Sequence, residues 1–232
     1  MSGADVPAVS VALEIRSLAL GPIGTNCYLL RVPGADAVVV VDPGDEHERI
    51  LEHLEGIGAG VAAILVTHGH WDHIGGVAGL AAATGAEVWM TADEAVALED
   101  PDSVQRAGMP PVPAWRVDHR LEGGERIEVG GITFDVLSVP GHSPAHVAFL
   151  APGVRDASGD GHDAAPVCCI GDVIFQGSIG RTDLPFSDPA VMAKTLRKLC
   201  TRLHPDTVLL PGHGGVTTMA RELASNPFLQ GI

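Results

Sequence analysis

The sequence predicts an α/β (α+β) protein made of two similar halves, each running strands first and helices after. Three observations predict this. Short apolar or alternating runs stop repeatedly at Gly, Asp or His, as strands do when they lead into loops. The strand-then-helix order begins again near Glu125. The composition is globular, with 46% hydrophobic residues and 29 glycines among 232 residues, enough to bury a substantial core.

In the first half, Val11 to Leu20 alternates apolar and polar residues, as a half-buried strand would. Cys27 to Val32 and Ala37 to Val41 read as the next two strands, and Glu46 to Leu54 has helical spacing. Ala62 to Val66 is a short apolar run ending at Thr67. Ile74 to Ala83 reads as a small-residue helix and Ala86 to Met90 as a strand. In the second half, Arg126 to Val129 and Thr133 to Val139 are strands joined by a Gly130-Gly131 turn. His146 to Leu150 and Val167 to Ile170 are two more. Pro189 to Leu203 is a helix with Asp188 as its N-cap and Pro189 at the first position. Thr207 to Leu210 is a strand, and a helix near Met219 to Ala224 follows. Two segments read as loops: Pro-rich Glu99 to Trp115, which could cover a site as a lid or simply connect, and Gly/Asp-rich Ala151 to Pro166, read as a solvent hairpin.

Residues 1–9 are expected to be a flexible N-terminus and residues 10–232 a single domain. The formal net charge is −15, which repels phosphate backbones and anionic membrane surfaces, so neither nucleic acid nor a membrane is an expected partner. The first positive side chain is Arg16, so no basic signal-peptide start is expected, and no long apolar run follows. Cys27, Cys168, Cys169 and Cys200 do not resemble a disulfide framework. They read as small core residues in a reducing, cytoplasmic protein, with Cys168 and Cys169 on opposite faces of a strand.

The chemistry concentrates in Thr67-His68-Gly69-His70-Trp71-Asp72-His73, between a strand and a helix. In an extended tail His68 and His70 share one face, while Asp72 and His73 fall in the turn and can address a second point. Imidazole nitrogen with carboxylate oxygen suits zinc, and also iron or manganese. Without a metal, such a cluster would carry an uncompensated cost of charge or desolvation. His142, Asp172 and His213 recur in one context, each beside Gly at a strand end. Two metal ions sharing a water need roughly six to seven protein ligands, and His68, His70, Asp72, His73, His142, Asp172 and His213 supply them. His47, His53, His119, His162 and His204 lack this context and read as surface residues; His146 could hydrogen-bond a ligand.

At these residues the chain resembles the metallo-β-lactamase-fold hydrolase superfamily, from about Ser10 onward. The signature HxHxDH is His68 to His73, followed by His142, Asp172 and His213. The resemblance implies a four-layer αββα sandwich. It implies one metal on His68, His70 and His142, a second on Asp72, His73 and His213, and Asp172 between them, with Asp72 and Asp172 as the catalytic carboxylates. Thr25-Asn26-Cys27-Tyr28, Val41-Asp42-Pro43-Gly44, Gly177 to Asp183 and Asn226-Pro227-Phe228-Leu229 are similar to the glyoxalase II (hydroxyacylglutathione hydrolase) group, its short bacterial branch above all. In that group Asp42 would brace the metal loops; otherwise it is a turn Asp ahead of Pro-Gly.

The departures concern the substrate. Only 19 residues follow His213, so the helical extension with which longer glyoxalase II enzymes grip glutathione is not expected here. Gly214-Gly215 stands where those enzymes carry an aromatic hydroxyl, and Arg181 and Asp183 stand where they carry Lys and Tyr. Arg181 could bind a substrate carboxylate bidentately or serve a structural salt bridge. The expected activity is metal-dependent hydrolysis of a small-molecule thioester such as S-lactoylglutathione. Its cofactors are two divalent ions, zinc before iron or manganese, which lower the pKa of water so that no Ser or Cys nucleophile is needed. The rival readings are a persulfide dioxygenase with a single iron, and a metallohydrolase acting on another ester, lactone or lactam. The sequence does not address oligomeric state.

Overall fold

A computed structural model describes residues 13–104, 108–154 and 165–231. The first half runs β1 (Glu14–Leu20), β2 (Thr25–Arg31), β3 (Ala37–Val41), α1 (His47–Gly56), β4 (Gly60–Leu65), α2 (Trp71–Ile74), α3 (Val77–Thr84), β5 (Val88–Thr91), α4 (Val96–Glu99), α5 (Pro101–Val104) and β6 (His119–Leu121). Its six strands form one sheet in sequence order, antiparallel from β1 to β3 and parallel from β3 to β6. The second half runs β7 (Arg126–Val129), β8 (Ile132–Ser138), β9 (Val147–Val154), β10 (Ala165–Gly171), β11 (Ile174–Phe175), β12 (Ser178–Ile179), α6 (Pro189–Arg202), β13 (Val208–Pro211), β14 (Thr217–Thr218) and α7 (Met219–Ser225). Its main sheet has the order β14-β13-β10-β9-β8-β7, and β11 pairs with β12 as a separate ribbon.

Strand alternation builds the layers. Val38 and Val40 of β3 pack outward with Ile50 and Leu54 of α1 and Val77 and Leu80 of α3. Val39 and Val41 point the other way, joining Phe134, Val136, Phe149 and Cys169 of the second sheet. On that sheet's far side Ala148, Cys168 and Leu209 meet Met192, Leu196 and Leu199 of α6. The result is helix, sheet, sheet, helix: the four-layer αββα sandwich. Cys168 and Cys169 do face opposite layers, and all four cysteines are free. Phe134 and Phe149 meet edge to face between the sheets, at a centroid distance of 6.1 Å.

Several elements differ from the sequence expectation. The helix expected over Ile74 to Ala83 is broken into α2 and α3 at Gly75-Gly76. There the chain presses against the Pro43-Gly44 turn: Gly76 N–H donates to the Pro43 carbonyl at 2.9 Å, and a Cβ on Gly75 would lie 2.5 Å from the Gly44 oxygen. The Pro-rich segment is not simply a loop. It starts with the short helix α5, and Val112 and Trp115 pack onto the outer helical layer, with Trp115 N–H bonded to the Leu98 carbonyl at 2.9 Å. Strand β6 has no apolar period to announce it. Strands β9 and β10 extend into the expected hairpin segment, where Ala165 pairs with Val154; residues 155–164 and the N-terminal residues 1–9 lie outside the described residues. Among the described residues no helix is long and apolar enough to cross a membrane.

Candidate metal centre

Strands β3 and β4 are parallel, and so are β10 and β13. Their C-terminal ends deliver Asp42, His68 to His73, Asp172 and His213 to one edge of the sandwich, and His142 arrives after β8. Glycines make the close approach feasible. A Cβ on Gly44 would lie 1.7 Å from the Asp72 carbonyl, and one on Gly180 would lie 1.8 Å from that of Asp172.

All seven residues expected as ligands converge. His70 Nδ1 lies 3.0 Å from His68 Nε2 and 2.8 Å from His142 Nε2, so three ring nitrogens face one point. Nitrogens bound to one tetrahedral zinc would sit roughly 3.3 Å apart. In a second group, Asp72 Oδ2 lies 3.3 Å from His73 Nε2 and 3.2 Å from His213 Nε2. The Asp172 carboxylate stands between the groups, 3.4 Å from His142 Nε2, 3.4 Å from His73 Nε2 and 3.5 Å from His213 Nε2. His68-His70-His142, Asp72-His73-His213 and His68-His73-Asp172 could each hold a metal ion. His73 Nε2 and Asp172 Oδ1 are buried and make no hydrogen bond, which fits atoms kept for a cation.

Charge divides the cluster. Burial, reinforced by neighbouring imidazoles, keeps His68 neutral and lowers His70 to about 4. Burial opposes a proton on His73 and His213, but the surrounding carboxylates outweigh it. His73 is raised well above the ordinary histidine range, and His213 is pushed up to about 9. Burial likewise works to raise Asp72, yet His73 and the bonds from His213 and Thr25 hold it at about 2. One group therefore offers neutral lone pairs, while the other attracts positive charge.

The chain matches known proteins along most of its length. The sequence pattern of the metallo-β-lactamase superfamily matches residues 20–158. The chain belongs to the metallo-β-lactamase superfamily. Hydroxyacylglutathione hydrolase GloC of Haemophilus influenzae is 34% identical over 220 residues, covering 94% of this chain and 98% of that protein. The structure of the BLEG-1 B3 metallo-β-lactamase superposes with a TM-score of 0.82 at 34% identity, covering 94% of this chain and all of that one (100%). That of TTHA1623 in a di-iron-bound form superposes at 0.75 with 39% identity, covering 92% and 100%.

The stretches quoted for the glyoxalase II resemblance brace this metallo-β-lactamase site. Thr25 Oγ1 donates to Asp72 Oδ2 at 2.8 Å. Asn26 and Tyr28 both donate to the Pro211 carbonyl, at 2.9 and 2.8 Å, holding the loop of His213. Asp42 accepts from the Thr67 N–H at 2.8 Å and the Thr67 hydroxyl at 2.7 Å, so it does brace the loop. Asn226 donates to the carbonyl of Ser178 at 2.9 Å, anchoring β12 just ahead of Arg181. His146 Nε2 accepts the Asp172 N–H at 3.1 Å, and its ring stacks on His68 at 4.5 Å.

Arg181 does two things in this structure. Its carbonyl accepts from His142 Nδ1 at 2.9 Å, which turns Nε2 toward the site. Its guanidinium pairs bidentately with Asp183, at 2.9 and 3.0 Å, on the exposed surface. A substrate carboxylate would have to compete with Asp183 for that fork. One brace had no signal in the sequence: buried Glu94 accepts from the N–H of Gly69 and of Ala145, both at 3.0 Å, clamping the loops of His70 and His142 together. A single Glu in a polar turn carries no pattern that could have announced it.

Proposed function

We propose that this chain is a metal-dependent hydrolase of small-molecule thioesters, of the hydroxyacylglutathione hydrolase type. The observation that carries the reading is the placement of Asp172 within 3.5 Å of imidazoles from both ligand groups. His68, His70 and His142 would hold one divalent ion, and Asp72, His73 and His213 the other, with Asp172 reaching both. Such ions lower the pKa of water and polarise a carbonyl. The protein supplies orientation: Asp42 and the Arg181 carbonyl direct His73 and His142, and Thr25 and Glu94 fix the loops. Zinc is our first assignment from the donor set, and the di-iron-bound relative supports iron as the alternative.

The similarity to GloC supports an acyl-thiol substrate, with S-lactoylglutathione as the probe. The net charge of −15 supports a small-molecule partner over nucleic acid or an anionic membrane, and four free cysteines support a reducing, cytoplasmic setting. The test is hydrolysis of S-D-lactoylglutathione by purified protein, with and without a chelator. Turnover that the chelator stops is the expected result. No turnover by protein carrying two metals would overturn the substrate. One iron per chain with oxygen uptake on glutathione persulfide would replace hydrolysis by the dioxygenase reaction.

A further inference from the structure

Phe186 has φ of +67°, in the left-handed region where a bulky side chain is a steric outlier. The residue is 79% exposed, the highest value among the described large hydrophobic residues, ahead of Ile23 at 53%. Asp42 and Glu46 are the other described non-glycine residues with positive φ, and both hold hydrogen bonds that offset the strain. Asp42 accepts from Thr67 and His73, and Glu46 accepts from the Gly21 N–H and from Arg49. A phenyl ring makes no such bond, and at this exposure it packs on little of its own chain.

The ends of its loop hold this conformation. The Arg181 carbonyl accepts from His142 Nδ1 at 2.9 Å, and Asp188 N–H donates to the Gly141 carbonyl at 2.8 Å. Within the loop, the Ser187 N–H and hydroxyl both bond the Leu184 carbonyl, at 3.2 and 2.7 Å. The loop is thus fastened at both ends to the dipeptide that carries a candidate metal ligand. Phe186 stands two residues, at most about 7 Å of chain, from the second fastening. The loop's own cation, Arg181, is already paired with Asp183. Phe186 is thus the exposed apolar group of a loop bonded to the Gly141-His142 dipeptide, in a protein whose net charge is −15.

We propose that Phe186 is a specificity-determining residue, held out by a strained and doubly fastened loop to grip the apolar arm of a thiol or thioester seated at the metal centre. The inference rests on the metallohydrolase reading of that centre, and it adds a preference for apolar surface on the thiol arm.

The experiment uses the full chain loaded with zinc and two thiol probes, benzyl mercaptan and 2-mercaptoethanol, followed by titration calorimetry. Phe186→Gly and Phe186→Ala should each weaken benzyl mercaptan by about tenfold and leave 2-mercaptoethanol within about twofold. Phe186→Gly alone should also raise the melting temperature, by about 2–4 °C, because Ala keeps most of the strain that Gly removes. Equal benzyl mercaptan affinity in all three proteins would overturn the proposal, as would failure of either thiol to bind the zinc-loaded chain. Thiol discrimination by Phe186 without any thioester hydrolysis would sink the thioesterase reading and leave this one standing. Fast hydrolysis of S-D-lactoylglutathione with no discrimination would do the reverse.

Discussion

Asp42 Oδ2 lies 2.9 Å from His73 Nδ1, and both side chains are buried. The carboxylate holds the Nδ1 side of the ring and so orients the imidazole with Nε2 presented to Asp72 and Asp172. Asp42 does this from a left-handed backbone, at φ +52°, ahead of the Pro43-Gly44 turn. Asp42→Asn keeps the shape but removes the charge and exchanges an acceptor oxygen for a donor nitrogen. It should weaken metal binding by about 10–100-fold with an unchanged far-UV circular dichroism spectrum. Competition against a fluorescent zinc chelator measures this, and unchanged affinity would remove Asp42 from the positioning of His73.

Asp172 is the carboxylate shared between the two ligand groups. Asp172→Ala should reduce turnover by at least about 10³-fold, several kcal/mol of lost stabilisation, while the protein stays folded. Steady-state kinetics beside a metal count per chain would check it. Retained turnover would sink the shared-carboxylate arrangement.

Gly212 carries no functional group, yet it abuts the centre. A Cβ there would lie 2.2 Å from Asp172 Oδ1 and 2.6 Å from His73 Cε1. Gly212→Ala should therefore displace a ligand and deplete bound metal before secondary structure is lost. Elemental analysis of the purified variant gives the answer, and full metal content would mean that the loop yields.

Protons and metal ions compete for the second group. His213 is raised to about 9 and His73 well above its ordinary range, so both are protonated near pH 7.5 in the metal-free protein. A metal ion must displace those protons, whereas His68 and His70, held low, have none to release. Loading at pH 7.5 should release about two protons, and affinity should rise about tenfold per proton for each pH unit until pH passes about 9 and His213 has lost its own. Calorimetry in two buffers of different ionisation enthalpy counts these protons. A pH-independent affinity would contradict the charge division described above.

The His68 to His73 cluster was legible because its members are neighbours in sequence, and local spacing is what a sequence states directly. The β-then-α order was equally legible, since alternation in β3 and apolar spacing in α1 are local patterns that burial imposes. His142, Asp172 and His213 carried a repeated strand-end context and a place in the family pattern, and stacking of the two sheets brought them to the cluster. Glu94 carried no signal, because its partners Gly69 and Ala145 lie 25 and 51 residues away and are backbone groups that any residue offers. The break falls at Gly75-Gly76, a pair of poor helix formers, where the Gly76 N–H turns to the Pro43 carbonyl and the missing side chains let the two segments touch. By itself the sequence determined a His/Asp donor set suited to metal ions and the strand-then-helix order of the layered fold. Only the tertiary structure decided how the Asp172 carboxylate sits between the two ligand groups, which groups hold each imidazole, and that Phe186 stands strained in the open, because those depend on contacts between segments distant in sequence.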